Sequence, residues 1–166
     1  MTRPVLFLDI DGVLNSEAWY LANVALFEKR AESDLDHYLR DIDPEAVARL
    51  NRVVEVSDPT IVLSSTWRFI RMPKVPDILT RRGFTGEIAS ATPRDPHGHR
   101  GREICAWLDA HTDVTTFAVV DDDRFDIIDT PHLVPRFVHT PQKLGLQDEH
   151  VDRLIALLGE RVTEVA

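Results

Sequence analysis

The stretch Val5-Leu6-Phe7-Leu8-Asp9-Ile10-Asp11-Gly12-Val13-Leu14-Asn15 sets four apolar residues against a pair of acids. Four consecutive apolar residues bounded by polar ones read as a strand covered on both faces. Two carboxylates placed so closely raise each other's pKa unless a cation lies between them. The pair is therefore either turn chemistry facing water or a place for a metal ion.

Working outward, three more short runs resemble the first: Thr60 to Leu63, Thr116 to Val120 and Leu133 to Val138. Each is rich in β-branched or aromatic residues, as strands are, and IVL and FAVV again lack polar alternation. Pro135 makes the last run an edge strand if it is a strand. Helical patterns lie between. Asp43-Pro44-Glu45 reads as an N-cap, a proline in the first turn and an acid near the positive end of the helix dipole, ahead of Val47, Leu50, Val53 and Val54 at helical spacing. Ile104, Trp107, Leu108 and His111 form a second stripe, and Val151, Leu154, Ile155 and Leu158 a third. Ser16 to Arg40 has no single clean period and predicts one or two helices with a polar connection. Met72 to Arg82 predicts a short helix stopping at Gly83, and Thr92 to Gly101 reads as loop.

Strands alternating with helices predict an α/β domain with a mainly parallel sheet, whose ligands bind beyond the carboxyl ends of the strands. Those ends carry Asp9 and Asp11, then Ser64-Ser65-Thr66, then Asp121-Asp122-Asp123, with Arg100 at the start of the helix before the third. Four or more acids at one sheet edge repel one another, and a divalent cation is the simplest relief. Oxygen ligands with few histidines or thiols favour Mg²⁺ over zinc. His97 and His99 read as polar loop residues, and Cys105 as a small residue flanking the core.

Composition narrows the function classes. At 166 residues, 43% apolar and 28% charged, the chain has room for one domain with a full core. Its net charge of -9 weighs against an extended nucleic-acid track but leaves room for a single phosphate group. The single Cys105 excludes an intramolecular disulfide. No signal peptide or membrane span is read, so a cytoplasmic location is expected.

Asp9-Ile10-Asp11-Gly12-Val13-Leu14 resembles the first motif of the haloacid dehalogenase (HAD)-like phosphohydrolases. Ser64 resembles their second motif, Arg100 or Arg102 the basic third and Asp121-Asp122 the acidic fourth, all in family order across residues 5 to 126. LSSTWR, RGREICAWL and VVDDD further resemble the compact subgroup named for HAD domains of Swiss Army knife RNA-repair proteins. The resemblance implies a Rossmann-like sheet in the order 3-2-1-4-5 with helices on both faces and a small or absent cap. One HAD-like domain would span 1–166, with a small cap-like helical insert at 16–42.

Carried onto this sequence, the resemblance implies Asp9 as nucleophile and Asp11 as general acid and then base. Ser64 would hydrogen-bond the phosphoryl group and Arg100 would neutralise it. Asp9, Asp121 and Asp122 would hold Mg²⁺, joined by Asp11 through its backbone carbonyl. Ser65, Arg102 and Asp126 are further candidates. The expected partner is a phosphorylated substrate: a small molecule, a nucleic-acid end or a phosphoprotein. Two other readings stay open at this point. In a receiver-like phosphoacceptor domain the acids of the first strand are adjacent and a lysine ends the last strand, whereas here the acids are spaced and Lys143 lies beyond Val138. A catalytically silent binding module would not need both Asp9 and Asp11.

Overall fold

Five parallel strands form the centre of the chain, whose computed structural model describes residues 3–161. Strand β1 (Val5–Leu8) lies in the middle, flanked by β2 (Thr60–Leu63) and β4 (Phe117–Asp121), with β3 (Ile88–Ala91) and β5 (Phe137–His139) at the edges. The order 3-2-1-4-5 and the helices around it make this a Rossmann-like α/β fold.

The unbroken apolar runs follow from burial on both faces. Leu6 and Leu8 pack on one side with helix α4 (Pro44–Ser57), helix α5 (Val75–Arg81) and helix α8 (Asp148–Leu158). Val5 and Phe7 pack on the other with Ile104 and Trp107 of helix α6 (Arg100–Asp109) and Ile127 of the short helix α7 (Phe125–Ile128). Phe7 meets Trp107 edge to face at 5.3 Å. Burying each such side chain contributes about 1.5–3 kcal/mol. Helix α4 starts as its sequence predicts: the Asp43 side chain accepts from the Glu45 amide, and Pro44 occupies the first turn.

Several expectations are corrected. Strand β3 has no counterpart among the four predicted runs, because Ile88-Ala89-Ser90-Ala91 is a half-exposed edge segment with one large apolar residue. The run Leu133 to Val138 is not one strand: Val134–Arg136 forms a 3₁₀ turn containing Pro135, and β5 begins only at Phe137. Ser16 to Arg40 holds three short helices, α1 (Glu17–Ala22), α2 (Val24–Phe27) and α3 (Asp34–Asp41), two of them capped by Ser16 and Ser33. Thr92 to Gly101 is loop only as far as His99. His111 falls beyond the end of α6 and stacks on the Trp107 ring at 3.7 Å. Among the described residues no helix is long and apolar enough to cross a membrane.

Candidate active site

Register assembles the site. Leu8 pairs with Leu63 on one side and with Val120 on the other, so the residue that follows in each strand, Asp9, Ser64 and Asp121, falls at the same level. The Asp9 amide donates to the Val120 carbonyl (3.1 Å) and the Ser64 amide to the Leu8 carbonyl (2.9 Å), which continues the ladder past the strand ends. Three carboxylates converge there: oxygens of Asp9, Asp121 and Asp122 lie within 4.8 Å of one another. Gly12 makes this approach feasible. Its φ of +68° suits glycine, and a Cβ on it would stand 2.3 Å from Asp122 Oδ2.

One guanidinium faces this cluster. Arg100 Nη1 lies 2.6 Å from Asp121 Oδ2 and 3.2 Å from Asp9 Oδ1. Asp126 accepts from the Arg100 amide at 2.9 Å, so it holds the helix start that aims Arg100. Gly101 permits that docking, since a Cβ there would meet Thr130 Oγ1 at 2.2 Å and the Asp126 carbonyl at 2.6 Å. Arg102 is exposed, points its amide at His99 Nδ1 (3.3 Å) and takes no part in the cluster. Between the two candidates for the basic residue, the structure brings Arg100 to the carboxylates.

The electrostatics show a shortage of positive charge. Burial pushes Asp121 up to about 8, helped by the charge of Asp9 and opposed by Arg100. Burial likewise raises Asp9, against the pull of Arg100 and hydrogen bonds from the Ile10 backbone and the Ser65 side chain. Asp122 is raised by burial and by Asp9. Burial alone would lower Arg100, yet Asp121 and Asp9 hold it above the ordinary arginine range. One guanidinium cannot neutralise three desolvated carboxylates, and an all-oxygen donor set of this kind fits a hard divalent cation such as Mg²⁺.

Asp11 is placed differently. It is exposed, and its carboxylate accepts from the Trp67 indole N–H (3.0 and 3.1 Å) and from Asn15 Nδ2 (2.8 Å). Its side chain therefore stands outside the three-carboxylate group, and the metal ligand that the resemblance implies at this residue is its main-chain carbonyl. Ser64 is fully buried and its hydroxyl has no hydrogen-bond partner among the described residues, whereas Ser65 caps the following 3₁₀ turn by accepting from the Trp67 amide and also hydrogen-bonds Asp9. Asp123 stays outside as well, accepting from the Phe125 amide at the start of α7.

Sequence reasoning missed the support beneath this layer. Arg68 Nη1 donates to the carbonyls of Ser64 (2.7 Å) and Ser65 (2.8 Å), while its Nη2 lies 2.6 Å from Glu103 Oε1. Both side chains are nearly closed to solvent, at 5% and 3% exposure, and Glu103 Oε2 is 3.9 Å from Arg100 Nε. The pair thus ties the serine loop to the helix that carries Arg100. A signal existed: Glu103 is four residues before Trp107, on the apolar face of α6, where an acid needs a buried cation. Arg68→Met is expected to cost about 3–5 kcal/mol in urea unfolding by stranding Glu103. Arg68→Met with Glu103→Leu should recover most of that, and an equal loss in both would contradict the pairing.

A family model described as the HAD domain in Swiss Army Knife RNA repair proteins matches residues 5–151. No match was found among curated proteins or among solved structures.

Proposed function

Because the chain belongs to the family of HAD domains in Swiss Army Knife RNA repair proteins, we propose that it is a Mg²⁺-dependent phosphomonoester hydrolase acting in the cytoplasm through an aspartyl-phosphate on Asp9. The observation that carries the reading is the division of labour at the end of β1. Asp9 is buried in a group of carboxylates facing one guanidinium, while Asp11, two residues on, is exposed and oriented by Trp67 and Asn15.

Asp9, Asp121 and Asp122 would hold the metal, which offsets the repulsion between a carboxylate nucleophile and an anionic phosphoryl group. In the first step an oxygen of Asp9 forms a bond to phosphorus as the bond from phosphorus to the leaving oxygen breaks. Asp11 gives that oxygen its proton, so the product leaves as a neutral alcohol. Asp11, now a carboxylate, then takes a proton from water, which attacks phosphorus and releases inorganic phosphate and the Asp9 carboxylate. The unpartnered Ser64 hydroxyl is a donor for a phosphoryl oxygen, and Arg100 stands where the phosphoryl charge needs compensation. Helices α1 to α3, together with the turn before α4, would act as a small cap over 16–42. The phosphorylated substrate is a small molecule, a nucleic-acid end or a phosphoprotein.

The direct test is hydrolysis of p-nitrophenyl phosphate in Mg²⁺ buffer. Turnover that stops with EDTA and returns with Mg²⁺ is expected. Stoichiometric phosphorylation from a small phosphodonor without turnover would instead favour a phosphoacceptor domain.

A further inference from the structure

A cleft of about 410 Å³ opens beside Asp11, and its walls combine two kinds of side chain. Asp11, Glu17 and Asp41 supply three acids; Trp19, Tyr20 and Phe27 supply three aromatic rings; the remaining lining is uncharged. Among the described residues no lysine, arginine or histidine lines it. His37 and Arg40 bear on Asp41 by charge without lining the cleft; Arg40 Nη1 donates to the carbonyls of Leu26 (3.1 Å) and Lys29 (2.7 Å), and its Nη2 is hydrogen-bonded to Asp36. The rings are held in place. The Trp19 indole N–H donates to the Arg40 carbonyl at 2.9 Å, and Tyr20 packs on Phe27 with centroids 4.9 Å apart.

Aromatic faces carry negative π density and bind cations, most strongly where carboxylates share the wall. A second hollow, beside Asp122, is lined by Arg124 and not by Asp11, whereas the first adjoins the proposed proton donor. We infer that this cleft receives the leaving group of the substrate, and that the leaving group is a small alcohol bearing an ammonium or quaternary ammonium charge. The inference rests on the phosphatase reading, since the leaving oxygen must sit at Asp11 for the rest of the alcohol to enter the cleft. The same walls disfavour a leaving group that is itself an anion, including a polynucleotide or a second phosphate, because three acids and no basic side chain of the lining would face it.

The experiment compares kcat/KM in Mg²⁺ buffer for phosphocholine, its neutral carbon isostere dimethylbutyl phosphate, and anionic phosphoglycolate. Phosphocholine is expected to exceed the neutral isostere about tenfold, with phosphoglycolate lowest. Tyr20→Leu and Asp41→Asn should each shrink the ratio of phosphocholine to the isostere; Tyr20 is 48% exposed, so its loss spares the core. Turnover of p-nitrophenyl phosphate with no preference among the three overturns the inference and leaves the phosphatase reading standing. If nothing is hydrolysed the phosphatase reading falls, and calorimetry with free choline decides the cleft: saturable binding weakened by Tyr20→Leu upholds a cation site, and no binding overturns it.

Discussion

Asp9→Asn is expected to lower aryl phosphate turnover by about 10⁴-fold or more, the loss typical of removing a nucleophile that works within a unit. Its stability should move the other way. Burial holds the Asp9 carboxyl above its ordinary range, so ionising it opposes folding at any pH above that ordinary range. Asparagine keeps the shape and an oxygen for Arg100 but removes the charge. The metal-free variant should therefore melt at or above the parent temperature at neutral pH, in a thermal scan run beside the activity assay. Loss of activity together with loss of fold would mean that Asp9 is structural.

The second large effect belongs to Arg100. Arg100→Met removes the guanidinium between Asp9 and Asp121, so turnover should fall by about 10²–10³-fold, as when a preorganised charge donor is lost. Stripping one partner from a buried ionic cluster costs about 3–5 kcal/mol. The pH dependence has a definite sign: without Arg100 the pKa values of Asp9 and Asp121 rise further, so the penalty grows with pH as they ionise and shrinks in acid, where both are protonated. Urea unfolding at mildly acidic and mildly alkaline pH reads this directly. Arg102→Met, at an exposed position outside the cluster, should stay within about 0.5 kcal/mol of the parent and keep its activity. Equal effects of the two substitutions would contradict the assignment.

Much of this was legible because it depends on local rules. VLFL, IVL and FAVV are apolar throughout since both faces of each strand are covered, and the residues that end them carry the acids and hydroxyls because strand ends emerge at one sheet edge. Arg100 was legible from its place at a helix start. Strand β3 was not: an edge strand with Ala89, Ser90 and Ala91 has little apolar surface to betray it. The insert between β1 and α4 was only partly legible, because α1 and α2 are short and bury no residue fully, while the apolar face of α3, Leu35, Tyr38 and Leu39, lies within a strongly charged stretch.

The site's supporting contacts were legible least. Trp67 reaches Asp11 across 56 positions of sequence, and Arg68 meets Glu103 across the sheet edge. Such pairs leave only an indirect trace, a Trp-Arg pair after a hydroxyl cluster and an acid on an apolar helix face. The cleft was likewise hidden, since Asp41 at the end of α3 shares it with Tyr20 of α1 only once both helices fold over β1's end.

The central claim is that Asp9 takes the phosphoryl group. Borohydride quenching during steady turnover of p-nitrophenyl phosphate in Mg²⁺ buffer reduces an acyl phosphate to an alcohol, which turns the modified aspartate into homoserine. Peptide mass spectrometry should find homoserine at position 9 and at no other aspartate, and only when substrate is present. Sustained turnover with residue 9 unmodified, or with the label at Asp11, Asp121 or Asp122, would contradict it.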